Sequence, residues 1–379
     1  MDAKAAGLLR ELVAIPSMNP YRTGTLEAGF GEERLARHVA ACLEAAGLRV
    51  ELSEVLAGRP NVVATLGGEA DVAPLLFVAH LDTVPVEGMT IAPFEARVKG
   101  GRLHGRGACD NKGSMAAMMA ALRRVAAGGT NPGPIVFAAT ADEESGFRGI
   151  QKLVADGVRA RAAFVGEPTG LAIIIAHRGV VRWSVATSGT SAHSSHPEQG
   201  VNAIYRMAPL VGELERLAGD IAARPAHPLV GPPTLSVGTI HGGHSVNTVP
   251  DGCAIEVDRR FLPGDSPDDA EREVRALVER HPGATLERFL TAPAFEIAPD
   301  ASVVGMARDA VAAVAGEART VGVAYGTEAP HLHNAGIPAV VLGPGDGAQA
   351  HSADEFIDLA QLEAAARVYE HLMTQPVRS

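Results

Sequence analysis

The chain has few cysteines and no long apolar run. Its three cysteines in 379 residues, Cys42, Cys109 and Cys253, are far apart, so a disulfide framework is not expected and a reducing compartment is favoured. No segment approaches ~18 consecutive apolar residues, which argues against a transmembrane helix. The N-terminus also lacks the uninterrupted apolar run of a signal peptide. These absences together predict a soluble cytoplasmic protein.

What the chain lacks also excludes several partners and reaction types. It has 33 Lys and Arg against 44 Asp and Glu, and its formal net charge at pH 7 is -11. This balance argues against binding of nucleic acid or of an anionic membrane surface. A complete dinucleotide fingerprint and a Gly-rich phosphate loop are missing. No Gly-x-Ser-x-Gly elbow supports Ser194 or Ser195 as a nucleophile, although both follow His193.

Apolar patterns in the first half predict alternating strands and helices. Short apolar runs at 74–79, 135–140 and 162–165 are typical of buried strands, and helical patterns lie between them. This alternation indicates an α/β fold with a mixed, largely parallel sheet sandwiched by helices. Such sheets bind ligands beyond the carboxyl ends of their strands.

The middle of the chain has a different pattern. Over residues 177–290 the order is strand, helix, strand, strand, helix, strand, which is that of a ferredoxin-like domain. The alternation of helices and strands returns from Ala301 onwards. The chain has 379 residues, more than a single hydrophobic core typically holds. We therefore expect a discontinuous domain (1–176 and 291–379) and an inserted α+β domain (177–290).

Five segments place histidine or carboxylate at predicted strand ends or in the loops that follow. They contain His80 and Asp82, Asp110, Asp142-Glu143-Glu144, Glu167, and His351. Imidazole with carboxylate is a ligand set suited to hydrolytic zinc, and bridging carboxylates suit a site with two metals. The sequence therefore predicts two Zn²⁺, for which Co²⁺ or Mn²⁺ could substitute.

Taken singly, each residue also has an ordinary structural explanation. Asp82 points the same way as His80 on a strand, so the two could form a simple hydrogen-bonded pair. Asp110 precedes a predicted helix and could cap it. The acidic triplet could be a solvated turn, although three adjacent acids repel one another unless cations compensate. Their joint occurrence at the strand ends of one sheet favours an active site.

In combination these segments resemble the di-zinc amidohydrolase and exopeptidase family that includes acetylornithine deacetylase, succinyl-diaminopimelate desuccinylase, aminoacylase and glutamate carboxypeptidase. The resemblance runs from about Leu12 to the last helix. It rests on five motifs: His80-Leu81-Asp82-Thr83-Val84-Pro85, Gly105-Arg106-Gly107-Ala108-Cys109-Asp110-Asn111-Lys112-Gly113, Ala141-Asp142-Glu143-Glu144, Gly166-Glu167-Pro168-Thr169 and His351-Ser352.

The resemblance implies a ligand set for the two zincs. His80 and Glu167 would hold one zinc. Glu144 and His351 would hold the other, and Asp110 would bridge the two. The resemblance also implies a cis peptide bond after Asp110.

The family further implies catalytic residues and a dimer. Glu143 would be the general base, and Asp82 would orient His80. The smaller domain resembles the family's lid and dimerisation domain, so a homodimer is implied. In its segment Gly189 to Ser195, His193 would reach the partner subunit's active site and stabilise the oxyanion.

Within the family, further segments are most similar to the deacetylase branch. Asn247 and Arg260 match positions that grip the substrate carboxylate, a task that suits the fork of an arginine. Gly326 stands where this branch often has cysteine, next to Thr327 and the substrate pocket. These four residues are the predicted substrate contacts.

The resulting hypothesis is metal-dependent hydrolysis of the amide bond of an N-acyl amino acid, first of all N-acetylornithine to ornithine and acetate. A zinc-bridged water would attack, with Glu143 as general base. Succinyl-diaminopimelate desuccinylase and glutamate or dipeptide exopeptidase activities stay open, because their chemistry is the same. The alternative from another class is a non-catalytic metal-binding homologue.

Overall fold

The computed structural model describes residues 4–21, 30–67, 72–128 and 133–375. In these ranges the helices are α1 (Ala5–Val13), α2 (Glu33–Glu44), α3 (Lys112–Gly128), α4 (Arg148–Ala155), α5 (Ala203–Ala222), α6 (Pro267–Val278), α7 (Ser302–Ala315), α8 (Ala329–Asn334) and α9 (Leu359–Thr374). None of these described helices is long and apolar enough to span a membrane.

The strands are β1 (Arg49–Leu56), β2 (Arg59–Leu66), β3 (Leu75–His80), β4 (Arg97–Lys99), β5 (Arg102–His104), β6 (Ile135–Thr140), β7 (Ala162–Val165), β8 (Ile173–His177), β9 (Gly179–Ser188), β10 (Thr234–Gly242), β11 (Gly252–Phe261), β12 (Ala284–Ala292), β13 (Phe295–Glu296), β14 (Thr320–Val323), β15 (Ala339–Val341) and β16 (Phe356–Asp358). Within the described ranges, short 3₁₀ helices lie at Pro197–Gln199 and Gly347–Gln349.

The chain divides into two compact units. The first comprises Met1–Ile175, Ile297–Val321 and Thr327–Ser379, and the second comprises Ala176–Glu296 and Gly322–Gly326. The sequence pattern predicts an inserted domain over 177–290, whereas residue 290 lies inside β12. Residues 291–296 and 322–326 belong to the second unit.

The first unit is built on a mixed sheet with strand order β1-β2-β6-β3-β7-β15-β8, to which β14 adds on β8. Strands β6, β3, β7 and β15 are parallel to one another. The pairs β1–β2, β2–β6 and β15–β8 are antiparallel. The predicted α/β class with a mixed sheet is confirmed, and its parallel part is the four central strands.

The central strands are apolar because both faces of the sheet are covered. Every residue of β3 and of β7 is buried, a pattern that requires helices on both sides. Helix α9 packs against α1, α3 and α7. Helices α2 and α4 contact β1 and β2, and α8 contacts β7 and β15. Helix α3 is nearly encased: Met115 to Leu122 are fully buried, which explains its run of alanine and methionine.

A separate three-stranded sheet, β16-β5-β4, also belongs to the first unit. In its register Phe356 lies opposite His104. The residue before β16, Glu355, is therefore held next to the loop that follows β5. The backbone confirms this placement, since the amide of Gly105 donates to the carbonyl of Glu355 at 3.1 Å.

The second unit has the predicted ferredoxin-like order. Its antiparallel sheet runs β10-β11-β9-β12, with α5 and α6 packed against it. Burial alternates strictly along β11, because the helices cover one face of the sheet and leave the other face open. Trp183, Met207, Leu214, Val257 and Val274 are members of the core between sheet and helices. Strand β13 pairs with β8 through Phe295 and His177.

Candidate active site and metal centre

The four central strands bring their carboxyl ends to one edge of the sheet. His80 is the last residue of β3, and Glu143 and Glu144 follow β6. Glu167 follows β7, and His351 lies in the loop after β15. Because parallel strands end on the same side, side chains distant in sequence converge there.

One group of ligand atoms gathers around His80. Its Nε2 lies 3.2 Å from Oδ1 of Asp110 and 4.0 Å from Oε1 of Glu167. The ligand atoms of these three residues all lie within 4.8 Å of one another. This arrangement offers one imidazole and two carboxylates to a single cation.

A second group shares Asp110 with the first. Nε2 of His351 lies 3.5 Å from Oδ2 of Asp110 and 3.2 Å from Oε2 of Glu144. The two oxygens of Asp110 thus face two different imidazoles. A carboxylate in that position can bridge a pair of cations. The peptide bond between Asp110 and Asn111 is cis, as the resemblance implied.

The electrostatics of this cluster fit bound cations. Oε1 of Glu144 and Oε1 of Glu167 are buried and have no hydrogen-bond partner among the described residues. Burial raises the pKa of Glu144, and it raises that of Glu167 well above its usual range. Buried carboxylate oxygens without donors are costly unless positive charge compensates them. Oxygen and imidazole donors of this kind suit zinc and related divalent metals.

Glu143 lies beside the cluster rather than at its centre. Its carboxylate is grouped with His80 and Glu144 within 4.8 Å. Burial raises the pKa of Glu143 well above its usual range, an effect opposed by His80 and reinforced by Glu167 and Glu144. Such a group is suited to taking and returning a proton near neutral pH.

Asp82 organises both the histidine and the acidic loop. Its backbone carbonyl lies 2.8 Å from Nδ1 of His80, and its Oδ1 lies 3.6 Å from the same nitrogen. Its two carboxylate oxygens accept from the backbone amides of Glu143 and Glu144, each at 3.0 Å. One buried carboxylate therefore sets the position of three residues of the site.

Asn19 joins two buried carboxylates. Its Nδ2 donates to Oδ2 of Asp82 at 2.7 Å and to Oδ1 of Asp142 at 3.1 Å. All three side chains are fully buried. The amide thereby supplies donors to two like charges that would otherwise repel each other. Asn19 lies before any recognised motif, so the sequence patterns did not identify it.

We expect Asn19→Ala to lower kcat about 10–100-fold, as loss of a partner that orients metal ligands typically does. The variant loses both donors, so Asp82 no longer holds His80 and the acidic loop firmly. Kinetics at a temperature well below unfolding would measure the effect. Ser266→Ala removes the N-cap of α6 in the second unit, costs about 1 kcal/mol of stability and should leave kcat unchanged. An Asn19→Ala enzyme with wild-type kcat would refute this positioning function.

Two further carboxylates behind the site were not identified from the sequence. Glu32 accepts from Nε and Nη2 of Arg59, both at 2.6 Å, and its Oε1 also accepts from the amide of Asp142 at 3.1 Å. Glu328 is buried and accepts from Oγ1 of Thr140 at 2.8 Å. Burial raises the pKa of Glu328 to about 7. In the sequence Glu32 stands next to Glu33, whereas Glu328 has no acidic neighbour.

Glu355 anchors the loop that carries Asp110. Its side chain is fully buried and accepts from the amides of Gly107, Cys109 and Asp110 at 2.8–3.0 Å. Nη1 of Arg106 donates to it at 2.8 Å. Four donors on one carboxylate fix the backbone that presents Asp110 to both imidazoles.

His193 lies in the second unit and is exposed. Its Nδ1 lies 2.7 Å from Oγ of Ser195 and accepts from the amide of Ser195 at 3.2 Å. With Nδ1 as acceptor, the neutral ring carries its proton on Nε2. The ring therefore presents an N–H donor to solvent.

The predicted substrate contacts in the second unit are Asn247, Arg260 and Gly326. The Asn247 side-chain carbonyl accepts from the hydroxyl of Ser245. Arg260 lies on the face of β11 opposite the helices, and its fork binds Asp258 at 2.7 and 3.2 Å. A Cβ at Gly326 would meet nothing within 4 Å.

Thr327 differs from these residues because it belongs to the first unit and is fully buried. Its hydroxyl accepts from the amide of Ala329 at 3.2 Å, at the start of α8. This local bond closes a turn just before α8. Its part in substrate binding stays a prediction.

Comparisons with known proteins indicate the family of this chain. A sequence profile of peptidase family M20/M25/M40 matches residues 76–375. Acetylornithine deacetylase of Proteus mirabilis (strain HI4320) is 36% identical over 380 residues, covering 97% of this chain and 95% of that protein.

Two solved structures show the same fold. A metallo-carboxypeptidase of the M20 family from Sulfolobus solfataricus has a TM-score of 0.81 at 19% identity and covers 99% of each chain. A dinuclear metal-binding peptidase of that family from Bacillus subtilis has a TM-score of 0.64 at 17% identity, covering 98% of this chain and 96% of that one.

The chain is a hydrolase that acts on amide bonds, and its two groups of imidazole and carboxylate are candidate metal-binding groups. The chain belongs to peptidase family M20/M25/M40, whose members include dinuclear metal-binding peptidases. The family resemblance drawn from the five motifs is thereby confirmed.

Proposed function

We propose that this chain hydrolyses the amide bond of a small N-acyl amino acid, with N-acetylornithine as the leading substrate. The observation that carries the proposal is Asp110, whose two oxygens face two separate groups of imidazole and carboxylate. The 36% identity to the Proteus deacetylase, over 97% of this chain, supports the choice of substrate. Such a reaction belongs to amino-acid metabolism, and to arginine synthesis if N-acetylornithine is the substrate.

Two divalent cations are part of the proposal. His80, Glu167 and Oδ1 of Asp110 would hold one, and Glu144, His351 and Oδ2 of Asp110 would hold the other. When bound, the cations supply Lewis-acid polarisation of the amide carbonyl. Zinc is preferred for these donors, and cobalt or manganese could serve.

Glu143 acts as the proton carrier in this proposal. Its carboxylate accepts a proton from the attacking water and returns it to the nitrogen of the leaving amine. The raised pKa of Glu143 favours that return. Asp82 and Asn19 hold the acidic loop and His80 in place throughout the reaction, because their hydrogen bonds involve only protein groups.

His193 would complete the site of a partner subunit in a homodimer. Its outward Nε2–H is a donor suited to a developing oxyanion. The second unit also carries apolar side chains that are unusually exposed, Tyr205 at 77%, Ile240 at 57% and Val246 at 101%. Exposed apolar patches commonly mark protein interfaces.

Asn247 and Arg260 would bind the substrate carboxylate. Arg260 would have to release Asp258, its present partner, to do so.

A substrate panel with and without chelator tests the function. Zinc-loaded protein would be assayed against N-acetylornithine, N-succinyl-diaminopimelate, other N-acyl amino acids and Glu-terminal dipeptides. We expect chelator-sensitive hydrolysis with N-acetylornithine having the highest kcat/KM. A different leading compound would keep the chemistry and replace the substrate. Two bound metals without hydrolysis of any compound would favour the non-catalytic homologue.

A heterodimer experiment tests His193. We expect His193→Ala to lower kcat about 10²–10³-fold, the usual cost of losing one oxyanion donor. Mixing it with inactive Glu143→Ala protein should restore activity, because one site then has both residues from different chains. The neighbouring His196, also exposed, provides a matched His196→Ala control that should keep wild-type kcat. No recovery in verified heterodimers would contradict action across subunits.

The proposal places the enzyme in the cytoplasm. The three cysteines Cys42, Cys109 and Cys253 are all unpaired, as is usual for proteins of a reducing compartment.

A further inference from the structure

A third group of ligand atoms lies between α1 and α2, apart in sequence from the catalytic residues. Glu11 is on α1, and His38 and Cys42 are four residues apart on α2, so they share one helix face. Nε2 of His38 lies 3.3 Å from Oε2 of Glu11 and 3.6 Å from Sγ of Cys42. The three ligand atoms all lie within 4.8 Å of one another.

One atom, Nε2 of His38, faces both Glu11 and Cys42. The Nε2 atom of His38 has one in-plane position, which holds either a proton or a lone pair. It can donate to the carboxylate of Glu11 or accept from the thiol of Cys42, but not both at once. A cation at the common point would bind all three atoms together.

The spacing agrees with a tetrahedral metal. With Zn–N and Zn–O bonds of ~2.0–2.1 Å and a Zn–S bond of ~2.3 Å, tetrahedral angles separate nitrogen from oxygen by ~3.3 Å and nitrogen from sulfur by ~3.6 Å. The observed separations are 3.3 and 3.6 Å. The side chains of Glu11 and His38 are 57% and 31% exposed, which leaves a fourth position for water.

We propose that Glu11, His38 and Cys42 form a surface site for a thiophilic divalent cation such as Zn²⁺ or Cd²⁺. The thiolate and imidazole donors select borderline-soft metals over Mg²⁺ or Ca²⁺. The site is independent of the proposed function, since none of its residues belongs to the catalytic cluster.

Metal binding here would tie α1 to α2. The segment between these helices contains Asn19, which supports the catalytic carboxylates, and Glu32, which binds Arg59 and the amide of Asp142. A bound cation would link the two helices that flank this segment. Because it would bind only the folded protein, it would stabilise the folded state. The thiol of Cys42 would release its proton on binding, because the thiolate is the metal ligand.

Cadmium provides a direct probe, because a cadmium–thiolate bond gives ultraviolet charge-transfer absorption. Zinc-loaded enzyme, freed of excess metal, would be titrated with Cd²⁺. We expect one saturable equivalent of this absorption and a rise in Tm, both absent in Cys42→Ser. Cys253→Ser is the matched control, because this buried thiol is outside the group, and it should behave as wild type.

The other two ligands separate a built site from simple thiol binding. A direct ligand should matter at least as much as an outer partner, whose loss weakens metal affinity ~10–100-fold. His38→Gln and Glu11→Gln should each weaken Cd²⁺ binding by at least ~10-fold. The proposal fails if wild type shows no absorption, if absorption persists in Cys42→Ser, or if neither glutamine variant changes the affinity.

Discussion

Glu143→Gln protein should turn over its acyl amino acid about 10²–10⁴-fold more slowly than wild type, the range typical of a lost general base. Glutamine keeps the size of the side chain but cannot accept a proton. The amide of residue 143 would still donate to Asp82, so the loop should keep its position. Bound metal should accordingly stay near the wild-type content. Steady-state kinetics and elemental analysis of the same preparation measure both quantities.

Glu144→Gln is the matched control in the same loop. Its carboxylate faces Nε2 of His351 at 3.2 Å, so its replacement should lower metal content together with turnover. The two adjacent glutamates thus predict different combinations of loss. A Glu143→Gln enzyme with wild-type kcat would refute the base assignment. Equal loss of metal in both variants would show that Glu143 is a ligand instead.

Glu355→Ala should lower the free energy of unfolding by about 3–5 kcal/mol, the usual cost of breaking a buried ion pair on one side. The change leaves Arg106 as an uncompensated buried charge and three backbone amides without their acceptor. One of those amides belongs to Asp110, the proposed bridging ligand, so metal affinity should also decrease. Denaturant unfolding of the metal-free protein isolates the stability effect.

Glu363 provides a matched comparison for Glu355. It also pairs with an arginine, Arg124 at 3.2 Å, but its side chain is 28% exposed. Glu363→Ala should therefore cost at most about 1 kcal/mol, as surface ion pairs do. If Glu355→Ala is no more destabilising than Glu363→Ala, the carboxylate does not anchor the Asp110 loop.

Much of the first unit's central sheet could be read from the sequence. The apolar runs 135–140 and 162–165 have the same bounds as β6 and β7, because continuous apolar runs are typical of strands that are covered on both faces. The short strands β4, β5 and β16 were not predicted, since three residues carry too little periodicity to distinguish a strand from a loop.

The sequence by itself determined which residue types stand at the carboxyl ends of the strands. Local apolar patterns indicate where a strand stops, and the motifs then supply His80 at the end of β3 and Glu167 just after β7. The expectation of a ferredoxin-like order in the second unit rested on the same local patterns, and the structure confirms it.

Only the tertiary structure decided which side chains and backbone groups hold the carboxylates of the site in place. Asn19 contacts Asp82 across 63 residues and Asp142 across 123, and Glu355 accepts from Asp110 across 245. No local periodicity encodes such pairs, because they depend on how distant strands pair and on the path of the loops between them. The physical reason is that a buried charge requires donors, and the folded chain recruits them from wherever its backbone passes.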